Sequence, residues 1–494
     1  MITVNKKFVS ILILKFLMIS CTDMLVSAQD NLSLDEAVNV ARSHSLSYKI
    51  AANSLQTSKW DYLNFTASKK PVLYLDGTIP NYARTINKIT LSNGDDSFVA
   101  QNQSYSSLHL NLRQQVTATG GTLAIGTSIN RIDLFGNNRS VNYSAVPFAI
   151  SYTQNTIGYN EFKWLEKIEP LKLDLADKKF KSDMEEIALS TVENFFAVLN
   201  VHDRRDLSEQ NLRHADTLLG IAKERYKRGT VGHSDLLQLR MNVLNAKKQL
   251  SLDSVDLVMA RQKFSSFMSF PDEKKWNLTI PTTIVFFPIN YVDALEKARS
   301  NSKEVIRFRL ERLSVEKTLA QTKSENKLKF NIYSNLGFSK TSGNFSDLFN
   351  NLENQQNLSI GFSLPIMDWG NAKTRRLRAE ANVAMVESQI DQQTIEFEQE
   401  IALQVSRWNL LQEQVQNAEE SREIAKENYE LEKERFLRGN VSINDLNMAQ
   451  LSKDNAVIAY NEVIRTYWTV FYIIRKLTLF DFNSQNNIKY SISY

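Results

Sequence analysis

The chain has 494 residues, long enough for several domains or for one elongated body. Its 59 Lys and Arg nearly balance 55 Asp and Glu, a formal net charge of +4, which leaves no basic footprint for nucleic acid. Only 15 Gly and 8 Pro argue against an all-β protein of tight turns, and the single cysteine, Cys21, excludes internal disulfides and cysteine-based metal sites.

Residues 1–28 read as an export signal. Lys6 and Lys7 precede an apolar run, Phe8 to Ser20, that is too short for an ordinary membrane anchor. Val26-Ser27-Ala28 offers small residues for cleavage after Ala28. Met18-Ile19-Ser20-Cys21 offers a second possibility, lipidation at Cys21. Beyond the signal no apolar run approaches 20 residues, so a mature chain that spans a membrane must do so as a closed β-barrel.

The first repeat is expected over residues 29–270. It opens with a helical stretch from Asn31 to Ser68. Strands follow at about 71–153, where apolar and polar residues alternate: Leu108, Leu110 and Leu112, then Leu123, Ile125 and Ile129, then Phe148, Ile150 and Tyr152. The loops between them are polar, as in Asn93-Gly94-Asp95-Asp96. Alternation over short segments suits membrane barrel strands, and equally a soluble sandwich. Tyr159, Phe162 and Trp164, with Trp369 in the second half, fit an interfacial aromatic belt. A long helical hairpin is expected at about 161–270. Its seam runs Leu212, Ala215, Leu219, Ala222, Tyr226 and returns through Leu236, Leu239, Val243, Ala246, Leu250, Asp253, Leu257, Ala260 and Phe264, the 3.5-residue spacing of a coiled coil.

Residues 271–290 read as a linker with a short strand. The second repeat, 291–480, returns to the same plan. Its helix pair spans Tyr291 to Glu325, where Ala298-Arg299-Ser300-Asn301-Ser302 matches Ala41-Arg42-Ser43-His44-Ser45. Strands are expected at about 327–364 and a hairpin at about 370–477, whose return seam includes Leu446, Ala449, Lys453, Ala456, Tyr460 and Tyr467. The ascending runs, Glu161–Arg228 and Gly370–Arg438, would each extend about 100 Å. Asp253 and Lys453 interrupt the seams, either to set register or to face water. Residues 481–494 read as a loosely packed tail.

Each hairpin turns on a related motif: ERYKRGTVGHSDLLQLR at Glu224–Arg240 and ERFLRGNVSINDLNMAQ at Glu434–Gln450. Arg225, Arg228, Gly229, Val231, Asp235 and Leu236 align with Arg435, Arg438, Gly439, Val441, Asp445 and Leu446. Basic residues close the ascending helix, Gly punctuates, and Asp, or Ser or Asn before it, can cap the return helix. So few strands per repeat cannot close a barrel alone. Several copies must pool them, most economically with cyclic symmetry.

These two R-G-x-V-x-x-x-D-L turns, the paired openings DEAVNVARS and VDALEKARS and Leu364-Pro365-Ile366-Met367-Asp368-Trp369-Gly370 resemble the TolC-like outer-membrane efflux protein family over nearly the whole mature chain. The resemblance implies an α+β membrane protein. It would form a homotrimer whose subunits share a trans-membrane β-barrel in the outer membrane and continue it as an α-barrel tunnel of coiled-coil hairpins through the periplasm. It implies an exit duct for efflux or type I secretion, with no enzymatic activity and no cofactor. Its partners would be a periplasmic adaptor, an inner-membrane transporter and outer-membrane lipid. The first half departs from the family by an added strand hairpin and by a corner, Thr153 to Gly158, without Pro.

By the same resemblance, Gly229, Thr230, Val231, Gly439, Asn440 and Val441 are adaptor-docking tips. The plain alternative is that the two glycines only permit a left-handed turn. Asp445 and Asp235 fall at the tunnel mouth. There Asp445 either forms an acidic ring on the symmetry axis or only complements its helix dipole. The family's second acidic position is Met448 here, and the latch partners expected for Asp235 are Phe436 and Val441. The histidines, His44, His109, His202, His214 and His233, lack ligand spacing, and no nucleophile or nucleotide motif is present. A soluble periplasmic coiled-coil adaptor or scaffold is the alternative. It requires the alternating segments to form a water-facing sheet.

Overall fold

The computed structural model describes residues 31–136, 139–154, 158–270, 277–279, 284–325, 328–364 and 366–491. The expected signal segment, cleavage after Ala28 and lipidation at Cys21 lie outside the described residues, as do Pro365 and most of the first strand-to-helix corner. In chain order the elements are β1 (Asn31–Leu32), α1 (Leu34–His44), α2 (Leu46–Ser68), β2 (Val72–Thr90), β3 (Asp96–Val116), β4 (Gly121–Phe135) and β5 (Ser140–Gln154). Then come α3 (Glu161–Lys227), α4 (His233–Met268), β6 (Asn277–Leu278), α5 (Tyr291–Asn301), α6 (Lys303–Glu325), β7 (Lys329–Ser342) and β8 (Glu353–Ser363). The chain ends with α7 (Asn371–Arg438), α8 (Ile443–Thr478), β9 (Phe480–Asp481) and β10 (Asn486–Asn487). The two ascending helices lie within one residue at each end of the expected runs Glu161–Arg228 and Gly370–Arg438. Pro170 sits inside α3 without ending it.

The chain divides into two compact units, each drawing on both sequence halves. One comprises Asn53–Phe180 and Ser302–Gln399 and contains the sheet. Six antiparallel strands pair in the order β2-β3-β4-β5-β7-β8, so β2 and β8 are edges with one partner each. Four strands come from the first half and two from the second. β2 and β3 outrun the alternating segments because hairpin register, rather than apolar patterning, carries pairing through polar stretches such as Asn81↔Tyr105 to Thr90↔Asp96.

Directly paired residues share a sheet face. Leu73, Leu112, Ile125, Ile150 and Leu336 form one apolar row across five strands. The next row, on the other face, is Tyr74, Asn111, Gly126, Ala149, Gly337 and Gln355. Asn side chains fill the space beside two of the inner glycines: Asn111 at Gly126 and Asn331 at Gly361, where any Cβ would collide with the carboxamide. The apolar row is not covered. Leu73 is 63% exposed and Leu336 53%. A water-facing sandwich would bury such a row under a second layer.

The other unit comprises the described residues of Met1–Ala52, Lys181–Asn301 and Glu400–Tyr494. Its helix α1 starts on a capping box: Glu36 N donates to Ser33 Oγ at 3.3 Å, and Ser33 N donates to Glu36 Oε2 at 2.9 Å. Its core is apolar and aromatic, with Phe195, Phe196, Phe264, Met268, Ile401 and Ile464 buried. The linker is stitched to this core. β6 pairs in parallel with β1. Trp408 Nε1 donates to the Phe287 carbonyl at 2.7 Å, Asn409 bonds both backbone groups of Ile289, and Tyr467 donates to the Val285 carbonyl at 2.7 Å.

The C-terminal segment is not loose. β9 pairs with β10, and Phe480, Phe482 and Ile488 are buried. The anchor is Glu185 on α3, whose side chain is fully buried. It receives Arg42 of α1 at 2.9 Å, Arg475 of α8 at 3.0 Å and the hydroxyl of Tyr490. Arg475 also pairs with Asp481. Burial opposes its charge, yet Glu185 and Asp481 hold that guanidinium firmly protonated. Nothing in the tail's Asn/Ser/Gln composition announces this, because the acceptor lies about 300 residues upstream.

Replacing Glu185 by Gln leaves the Arg42 guanidinium without its counter-charge and Arg475 with Asp481 alone. Denaturant unfolding followed by circular dichroism is expected to show a loss of about 3–5 kcal/mol. Tyr490→Phe removes one hydrogen bond and should lose only about 1 kcal/mol. Equal stability of Glu185→Gln and the parent would mean that the cluster anchors nothing.

Candidate functional site

The two hairpin turns share one backbone solution. In the first, Gly229 N donates to the Tyr226 carbonyl at 2.9 Å and Thr230 N to the Arg225 carbonyl at 3.0 Å. In the second, Gly439 N donates to Phe436 and Asn440 N to Arg435, both at 3.0 Å. This is the left-handed C-terminal closure that satisfies the last helical carbonyls. Gly229 has φ +72° and Gly439 φ +85°. No atom lies within 4 Å of where a Cβ would stand at either. A side chain there would meet backbone strain, but it would project into open space.

The return helices begin differently. Ser442 caps α8 in a reciprocal box: Asp445 N donates to Ser442 Oγ at 3.2 Å, and Ser442 Oγ donates to Asp445 Oδ2 at 2.7 Å. Asp445 is therefore a capping residue with an exposed carboxylate. On α4 the cap position is Gly232, which has no side chain to offer, and Asp235 stands exposed in the first turn.

Between the tips lies a groove of about 280 Å³. Thr230, Val231 and Asp235 line it from one hairpin, Gly439 and Val441 from the other, together with Arg225, Phe436 and Ile443. Thus five of the eight expected tip and mouth residues share one cavity, while Gly229, Asn440 and Asp445 stand outside its lining. Asp235 faces this groove with Phe436 and Val441, the two substituted latch positions.

Other residues join the hairpins. Arg225 Nη2 donates to the Leu437 carbonyl at 2.7 Å. Gln238 reaches Asn444 at 3.0 Å and Asn211 reaches Asp454 at 2.7 Å. Tyr429 Oη lies 2.9 Å from His214 Nδ1, and the Lys453 ammonium sits 4.5 Å over the Tyr429 ring. Lys453 is thus buried against an aromatic face. Asp253, its counterpart in the other seam, is buried between Ser208, Gln249 and Arg204. Both set register and neither faces water. Burial pushes the Tyr429 hydroxyl up to about 12. Burial, then Lys433 and Lys453, push His214 below its ordinary value. The polar stripe Gln238, Asn242, Asn444 and Asn447, at helical spacing beside the seam, was the available sequence signal for these bridges.

Among the described residues, no three His, Cys, Asp or Glu gather in a way that could hold a metal. Among the described residues, no helix is long and apolar enough to cross a membrane.

Residues 294–469 match the outer membrane efflux protein family. No curated protein sequence matches the chain. Among solved structures it is similar to the CmeC outer membrane channel of Campylobacter jejuni, at 16% identity and a TM-score of 0.64, covering 90% of this chain and 85% of that one. It is also similar to VceC of Vibrio cholerae, at 12% identity and TM-score 0.62, covering 90% and 95%. A third is the MtrE outer membrane channel of Neisseria gonorrhoeae, at 14% and 0.56, covering 90% and 88%. Residues 294–469 thus carry the match to the outer membrane efflux protein family, and the fold over nine-tenths of the sequence is that of solved outer membrane channels.

Proposed function

We propose that this protein is the outer-membrane exit duct of a tripartite efflux or type I secretion system. It passively conducts substrates delivered by a periplasmic adaptor and an inner-membrane transporter. The observation that carries this is the six-stranded sheet: its apolar row is uncovered and both its edges are open. Open edges are not tolerated in lipid. Three copies joined β2 to β8 make an 18-stranded closed ring, a size that leaves an aqueous channel. The hairpins of the three copies, 67 and 36 residues in one half and 68 and 36 in the other, continue it as a helical tunnel. Their near-identical lengths, with helix pairs of 11 and 23 residues before each set of strands, support an internal duplication. On this reading the two repeats bracket an equatorial linker, 271–290, and Phe162, Trp164 and Trp369 belong to the interfacial belt. The bare apolar row disfavours a soluble adaptor. Outer-membrane fractionation, an SDS-sensitive trimer and channel conductance in planar bilayers test the reading; a soluble monomer would overturn it.

The tips dock the adaptor on this reading, with Gly229, Thr230, Val231, Gly439, Asn440 and Val441 at the contact. Gly229→Trp and Gly439→Trp project a ring into open space and should abolish export while trimers still assemble. Unimpaired export in both would remove the tips from docking. Asp445 contributes an acidic ring at the mouth, so Asp445→Asn should lower the cation preference of single channels; an unaltered reversal potential speaks against a ring.

The His214–Tyr429 bridge helps hold the mouth closed. His214 is depressed in the folded state, so its contribution is fully present above the ordinary pKa of 6.5 and is lost as pH falls below it. Acidification from pH 8 to pH 5 should raise conductance, and Tyr429→Phe should flatten that dependence. Identical conductance–pH profiles for parent and variant would exclude the bridge from closure.

A further inference from the structure

We propose that the far half of the β2–β3 ribbon is an interface between copies of this chain: it docks against the loop that joins β7 to β8 in the neighbouring copy. The inference rests on the closed ring proposed above and names a contact beyond its strand pairing. The two edge strands are unequal. β2 has 19 residues and β8 has 11. Both are anchored at the helix side of the sheet, where β2 follows α2 and β8 leads to α7. Joined flush at that side, β8 of one copy covers β2 of the next only as far as Tyr82. Residues Ala83 to Thr90 run on past it.

That overhang has one partner strand in its own chain. β4 pairs with β3 from Val116 back to Asn102, so Asp96–Gln101 meet β2 alone. A two-stranded ribbon of this kind is marginal in water and leaves an edge open on both sides. One of its faces is apolar. Ile86 pairs with Ala100 and Lys88 with Phe98, and along β3 these positions continue the face of Leu108, Leu110 and Leu112. Ile86 and Phe98 are each 72% exposed. Lys88 is already held by Asp96 at 2.6 Å, so this face offers hydrophobic contact rather than a free charge. Lipid tails do not reach it. A tilted strand crosses the hydrocarbon in about 9–11 residues, and β2 outruns that length, so Ile86 and Phe98, far from the helix side, stand beyond the bilayer core.

The β7–β8 loop offers the matching surface. Phe345 and Phe349 are each half-exposed there, and Leu352, partly exposed, comes directly before β8. Phe345 meets Tyr143 edge-on with ring centroids 5.7 Å apart, and Phe349 lies 6.3 Å from Phe345. Tyr143 pairs with Arg131, on the β4 face of Ile125 and Ile129. The loop's aromatic pair therefore stands on the same face of the sheet as Ile86 and Phe98. Leu348 is fully buried and fixes the loop without using either exposed ring. In the closed ring β2 and β8 run antiparallel, so the loop at the start of β8 falls beside the end of β2. Docking covers apolar groups on both partners and shields the ribbon's open edge.

The test introduces Ile86→Cys together with Phe349→Cys, and separately with Leu352→Cys, into the full-length protein, oxidised mildly in its membrane. Within one copy β2 and β8 are opposite edges of the sheet, about 24 Å apart at the usual strand spacing. A disulfide needs Cα atoms within about 7 Å, so a bond can form only between copies. Non-reducing SDS gels should show most of the chain, in at least one of the pairs, as covalent dimers and trimers. These should vanish on reduction and be missing from the three single variants. Trimers on native gels with no disulfide in either pair overturn the ribbon contact and leave the duct standing. Equal cross-linking of Ile86→Cys alone also overturns it, because the ribbons would then meet one another. The absence of any trimer sinks the duct and the contact with it.

Discussion

A backbone amide in hydrocarbon must find its partner within protein, and this sheet leaves two strands half-paired. That constraint organises the structure. β2 and β8 each offer an outer row of donors and acceptors, and an apolar row runs across five strands with nothing packed on it. In water such a sheet would be an aggregation template. On the opposite face Asn111 and Asn331 fill the room beside Gly126 and Gly361, where any Cβ would collide with the carboxamide.

The helical hairpins answer a different problem. Helices of 67 and 68 residues cannot be stabilised by propensity; a seam must hold them together. The seams are apolar except where Asp253 and Lys453 enter, and each of these is buried and satisfied. Polar residues at such positions penalise slipped registers, in which their partners would be lost. The turns close with a left-handed glycine, and near them the hairpins are joined by carboxamides, one arginine and one histidine–tyrosine pair. These contacts are few and half-exposed.

The opposite condition holds around Glu185. There a buried carboxylate gathers an N-terminal helix, a long helix and the C-terminal segment through Arg42, Arg475 and Tyr490. A buried charge satisfied from three directions is hard to rearrange.

Local periodicity determined the helices, the seams and both turns, because a 3.5-residue repeat and a left-handed glycine are properties of adjacent residues. Alternation located five of the six sheet strands in part. It missed the extent of β2 and β3, whose polar stretches are held by register with a partner strand. The motif resemblance singled out the two turns and Asp445, but not the capping box that engages Asp445, nor the absence of one at Gly232. What only the tertiary structure decided are contacts between residues far apart in sequence. The tail locks onto Glu185, His214 meets Tyr429, and Lys453 lies on an aromatic ring. Side chains hundreds of residues apart carry no mutual periodicity, so nothing in the sequence order could announce that they would touch.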